Sequence, residues 1–105
     1  MNPATGYVYV WEFWVKREHE RAFERAYEGD GEWARLFRRA PGYLRTELLR
    51  DRATPSRFLT IDYWESEAAF AAFRSQFASE FEALDTQFAA WTTSETEIGR
   101  FEPVV

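Results

Sequence analysis

The sequence predicts an α+β fold: a four-stranded antiparallel sheet in the ferredoxin-like βαββαβ order, with an extra short helix after the first one. Three observations lead there. Hydrophobic spacing alternates between strand-like and helix-like periods in the order β-α-α-β-β-α-β. With 105 residues, 46% hydrophobic and 30% charged, the chain can bury one core, as a single domain over 1–105. No internal repeat, linker or low-complexity stretch divides it.

Residues 7–15, YVYVWEFWV, are aromatic and β-branched and too short for a typical helix, so they read as the first strand. One face carries Tyr7, Tyr9, Trp11, Phe13 and Val15, the other Val8, Val10, Glu12 and Trp14. Residues 17–28 take helical spacing, with Ala22, Phe23, Ala26 and Tyr27 on one stripe. Gly29, Asp30 and Gly31 break that helix, and Asp30 is placed to N-cap a short one presenting Trp33, Leu36, Phe37 and Ala40. Pro41 and Gly42 stop it. Residues 43–51 and 57–65 form two strands joined by a turn containing Thr54, Pro55 and Ser56, hence an antiparallel hairpin. Ser66 caps a long helical stretch, 67–90, whose stripe is Phe70, Phe73, Phe77, Phe81, Leu84 and Phe88. Ser79 and Glu82 have capping-box spacing, which places a kink or restart there. Residues 92–101 read as a last, more polar strand, ended by Pro103.

Composition narrows the function classes. Without Cys there is no disulfide framework, thiolate metal site or cysteine nucleophile, and the single His19 cannot build a multi-His cage. No metal or other cofactor is therefore expected. A net charge of −5 argues against nucleic acid as a partner. No apolar run reaches the roughly 20 residues that span a bilayer, and MNPATGYVYV lacks a basic signal-peptide region. A cytoplasmic protein without a membrane partner is expected. Seven Arg lie within 35–57 and eight acids within 62–97, a split read as solvated faces that can also guide a subunit or an anionic ligand.

A ferredoxin-like sheet is covered by helices on one face only, yet the first strand has no polar face. The third strand alternates Leu59, Ile61, Tyr63 against Phe58, Thr60, Asp62, Trp64, and both of its faces carry apolar side chains. A bare apolar face of that size is uncommon on monomers, so a second copy, sheet against sheet, is expected to cover it. The chain is expected to be a homodimer.

Five segments then line up with a known family: V-x-V-W-E-F-x-V-K (8–16), F-E-R-A-Y (23–27), W-A-R-L-F (33–37), P-G-Y-L (41–44) and I-D-Y-W-E-S (61–66). From about Tyr7 to Phe101 the chain resembles the antibiotic biosynthesis monooxygenase-like superfamily. The resemblance implies a dimeric α+β barrel, two facing sheets with helices outside and a pocket between each sheet and its helices. It also implies a cofactor-independent monooxygenase that uses O₂ on a hydrophobic, aromatic small molecule. Such a protein supplies a dry aromatic cavity, a base and donors for a developing oxyanion. Quinone-forming members use an Asn, a Trp, a Tyr and an Arg; the only Asn here is Asn2, ahead of the first strand. Haem-degrading members use a strand Asn and a helix His, and their Trp-then-His spacing falls near Phe73 and Ala83. No axial ligand stands there, so haem degradation is not expected.

Candidate residues follow. Glu12 and Asp62 sit mid-strand on neighbouring central strands, where a carboxylate must be paired, hydrogen-bonded or protonated. Each is either a pocket base or a carboxylate tied to Arg or Tyr across the dimer. Trp11, Phe13 and Tyr63 on the strands, Trp33 and Phe37 on the short helix, and Tyr27, Phe73 and Phe77 on the helical stripes either line a substrate pocket or fill the core. His19 reads as an exposed residue of the first helical turn, and Glu95 and Glu97 as edge-strand charges. No GxGxxG, P-loop, HExxH, GxSxG or EF-hand pattern occurs. A second function remains open: a non-catalytic ligand-binding or structural dimer whose aromatics are packing. An open cavity separates the two readings.

Overall fold

A computed structural model describes residues 6–104. Asn2 lies outside the described residues. Four strands, β1 (Tyr7–Val15), β2 (Tyr43–Arg50), β3 (Arg57–Trp64) and β4 (Thr92–Phe101), pair antiparallel in the order β2-β3-β1-β4. The four helices are α1 (Glu20–Tyr27), α2 (Glu32–Phe37), α3 (Glu67–Gln76) and α4 (Ala78–Phe88). This is the ferredoxin-like α+β arrangement, with β1 and β3 at the centre of the sheet.

Register assigns every strand residue to a face. Tyr7 pairs with Trp64, Tyr9 with Asp62, Trp11 with Thr60 and Phe13 with Phe58. All but Trp11 of these are buried, beneath the helices. The intervening pairs, Val8 with Tyr63, Val10 with Ile61 and Glu12 with Leu59, point the other way and are only half-buried. Along β3 the alternation is unbroken, the two-residue period of a strand with one closed and one open face.

The core joins the closed face to α1, α3 and α4 through Phe23, Phe58, Phe73, Trp64 and Phe88, each less than 2% exposed. Aromatic rings interlock throughout: Phe23 stacks on Tyr27 at 4.0 Å, and Phe37 meets Phe73 edge-on at 5.1 Å. Ser66 caps α3, accepting from the Ala69 N–H at 3.1 Å.

Two local expectations change. Asp30 does not cap α2; Gly31 holds the N-cap position, and the Asp30 carboxylate accepts from Arg38 at 2.6 Å instead. A Cβ on Gly31 would stand 2.4 Å from the Ala26 carbonyl, so the loop passes too close to α1 for any larger residue. The 67–90 stretch bends at Phe77, two residues before Ser79, and no side chain caps the second half. Phe77 stacks on Phe73 and lies under the Arg39 guanidinium, so ring packing fixes the bend where capping chemistry does not.

Candidate active site

Helices α1 to α4 do not close fully on the sheet. Between them lies a cavity of about 290 Å³, at the lower end of the range for small-molecule sites. The sheet contributes Tyr9, Trp11 and Phe13 from β1, Thr46 from β2 and Thr60 and Asp62 from β3. The helices contribute Tyr27, Trp33, Phe37, Phe70 and Phe81. Three exposed charged residues, Arg74, Asp85 and Glu95, complete the lining and form its rim. Arg74 lies 4.1 Å over the Phe81 ring.

Within this aromatic wall Asp62 is the one deeply buried carboxylate, 8% exposed. Burial pushes its pKa up to about 7, against a smaller pull downward from the Thr46 hydroxyl. Thr46 donates to Asp62 Oδ1 at 2.6 Å and in turn bonds the Tyr43 hydroxyl at 2.7 Å. Among the described residues no arginine or lysine pairs with Asp62. The group therefore titrates near neutrality in an apolar setting, as a general base requires. Tyr9 and Tyr27 are both pushed up by burial and remain protonated at the cavity wall, with the Tyr9 hydroxyl donating to Glu97 at 3.2 Å. The Trp33 Nε1–H is buried with no hydrogen-bond partner among the described residues.

Six residues expected from the sequence meet here: Trp11, Phe13, Tyr27, Trp33, Phe37 and Asp62. Four do not. Tyr63 and Glu12 belong to the opposite face; Tyr63 donates to Glu47 at 2.8 Å and stacks under Arg45, and Glu12 accepts from Arg57 at 2.6 Å. Phe73 is fully buried behind the wall, and Phe77 packs outside it against Phe73 and Arg39. Tyr9, Thr46, Thr60, Phe70, Arg74, Phe81, Asp85 and Glu95 were not anticipated. Thr46 was within reach of counting: Asp51 and Arg57 flank the hairpin turn, and stepping outward from them pairs Thr46 with Asp62. His19 stacks near Trp91, away from the cavity. Among the described residues no group of three or more His, Asp or Glu converges as a metal site.

A helix-backed antiparallel sheet enclosing an aromatic cavity with one buried acid defines a small α+β binding or catalytic domain. The chain belongs to the antibiotic biosynthesis monooxygenase family, whose model matches residues 6–84. It is similar to SnoaB, a cofactor-independent oxygenase from Streptomyces nogalater, at 27% identity over 97% of this chain and 96% of that one. The TM-scores are 0.74 for a point variant of SnoaB and 0.73 for a second SnoaB structure. Protein SO0527 from Shewanella oneidensis shares the fold, with a TM-score of 0.72 at 22% identity over 97% of this chain and 94% of that one. No curated protein is significantly similar in sequence. No helix among the described residues is long and apolar enough to cross a membrane.

Proposed function

We propose that this protein is a cofactor-independent monooxygenase that uses O₂ to oxidise a hydrophobic, electron-rich aromatic molecule, and that it works as a homodimer. The observation that carries the reading is Asp62, a buried carboxylate in the wall of an aromatic cavity whose pKa burial pushes up to about 7. Membership of the monooxygenase family and the likeness to SnoaB support it.

The substrate itself supplies the electrons. Ionised Asp62 takes a proton from an activated ring methylene, leaving an electron-rich carbanion that can reduce O₂. For an activated ring methylene the sum is CH₂ + O₂ → C=O + H₂O: the carbon loses four electrons and O₂ gains four. The proton held by Asp62 returns to the oxygen that leaves as water. Trp11, Phe13, Phe37 and Phe70 hold the rings and exclude water, which strengthens every polar interaction inside. Tyr27, kept protonated by burial, is a donor for the developing oxyanion.

The homodimer rests on the open face of the sheet. Val8, Val10, Trp14, Leu59 and Ile61 stay half-buried there, and Leu49, Ile98 and Phe101 are 46%, 47% and 51% exposed. The helices of one protomer cover only the other side, and a two-fold mate would bring the same face against itself. Sedimentation should return about twice the 12.5 kDa protomer mass, and Ile61→Arg should return the protomer.

Oxygen-electrode traces with 1,8-dihydroxyanthrone test the chemistry. Wild type should consume O₂ with kcat/KM rising through about pH 7, and Asp62→Asn should lower kcat by roughly 10²–10⁴-fold. Tight binding of the anthrone without O₂ uptake would instead make the protein a non-catalytic binder.

A further inference from the structure

We propose that Thr46 and Tyr43 are positioning residues for Asp62: a two-link hydrogen-bond chain entering from the edge strand holds Oδ1 and leaves Oδ2 to the ligand. The proposal rests on Asp62 being the base of the proposed oxidation.

The geometry is directional. Thr46 has one hydroxyl proton and gives it to Asp62 Oδ1 at 2.6 Å, so the 2.7 Å contact with Tyr43 must be donated by the tyrosine. Both links thus point toward the carboxylate, an arrangement that favours its charged form and orients it. No partner of Oδ2 occurs among the described residues, although Asp62 lines the cavity.

A backbone irregularity makes the chain possible. Residues three apart on a regular strand face opposite sides. In β2 the register shifts between Tyr43 and Arg45: Tyr43 pairs with Trp64 and Arg45 with the next residue, Tyr63. Leu44 is the extra residue, 53% exposed. This β-bulge turns Tyr43 onto the face that holds Thr46 and Asp62, the kind of re-aiming for which bulges are kept beside sites. The Tyr43 ring is then clamped between Phe37 at 5.5 Å and Trp64 at 5.3 Å, which fixes its hydroxyl. Thr46 is itself buried, 9% exposed.

The other ionisable side chains around the cavity do not replace these links. Tyr9 on β1 donates to Glu97, Tyr27 on α1 is buried against Trp33, and Arg74, Asp85 and Glu95 stand exposed at the rim. Only Thr46 reaches Asp62 among the described residues.

The test is an NMR titration of the Asp62 side-chain carboxyl carbon in the full chain, which needs no substrate. Thr46→Val should raise its midpoint by about one pH unit, and Thr46→Ser should restore it. Tyr43→Phe, which keeps the clamped ring, should raise the midpoint by a smaller amount and carries the test if Thr46→Val does not fold. A midpoint unmoved by Tyr43→Phe or Thr46→Val, or unrestored by serine, overturns the proposal. Shifted midpoints together with a wild type that takes up no O₂ on 1,8-dihydroxyanthrone would sink the monooxygenase reading and leave the positioning chain standing. Uptake with unmoved midpoints would do the reverse.

Discussion

The two faces of the sheet treat the same problem in opposite ways. Each holds a carboxylate in the middle of a central strand, Asp62 on β3 and Glu12 on β1. On the open face Glu12 accepts from Arg57 at 2.6 Å, and Arg57 also reaches Asp51 at 3.0 Å. On the closed face Asp62 has a threonine hydroxyl and aromatic rings for company, and its pKa climbs to about 7. The open face thus holds its carboxylate by ion pairing, whereas the closed face holds its own by one hydroxyl bond within apolar surroundings. A pairing partner would have been the cheaper arrangement for folding, and its absence at Asp62 marks the cavity.

The contrast can be tested from its largest consequence to its smallest. Phe58→Ala, on the closed face and 1% exposed, should cost about 3–5 kcal/mol in denaturant unfolding. The adjacent Leu59→Ala, half-buried on the open face, should cost about 1–2 kcal/mol in dilute protomer. Equal costs would mean that both faces are equally closed.

Asp62 should weaken the fold as pH rises. Its native pKa lies above the unfolded value of 3.8, so between about pH 4 and 7 the unfolded chain has lost the proton that the native protein still holds. Stability then falls through that window and levels off above it. Asp62→Asn should remove this slope and gain on the order of 2–4 kcal/mol at pH 8 relative to wild type. Chemical denaturation at pH 5 and 8 reads both numbers, and a parallel slope in the variant would show that Asp62 is not the group responsible.

Trp33→Ala should lose affinity for a planar aromatic ligand beyond what its stability change explains, because the ring lines the cavity as well as the core. Calorimetric binding alongside unfolding separates the two. Glu12→Gln should have the smallest effect, about 1 kcal/mol or less and fading in high salt, since Arg57 retains Asp51.

Much of this was legible in the sequence. The strand and helix periods gave the element order, and the parity of residues 58–64 separated two faces. Parity also shows that Asp62 and Tyr63, being consecutive, cannot both point into one pocket; the structure puts Tyr63 outside. What the pattern could not decide was which face the helices cover, because both faces of β1 are apolar. The bulge at Leu44 was hidden for a related reason. Leu44 fits a strand pattern, and only pairing with β3 exposes the extra residue. The cavity was invisible because it arises from rings that fail to meet, a property of tertiary spacing and not of any one residue. Asp30 does not cap α2 because the helix starts one residue later, with Gly31 at the N-cap position, a shift that turn composition alone does not reveal.

The cavity walls are also the core, for Phe13, Tyr27, Trp33 and Phe37 belong to both. Whatever fills the space must therefore be thermodynamically linked to folding. An occupant present at a hundred times its Kd should add about 2.7 kcal/mol to the native state, which corresponds to roughly 10–20 °C in Tm for a domain of this size. Melting temperature thus becomes a reporter blind to chemistry, able to rank aromatic candidates before any reaction is known. In this molecule the search for a substrate can begin as a search for whatever makes the protein hardest to melt.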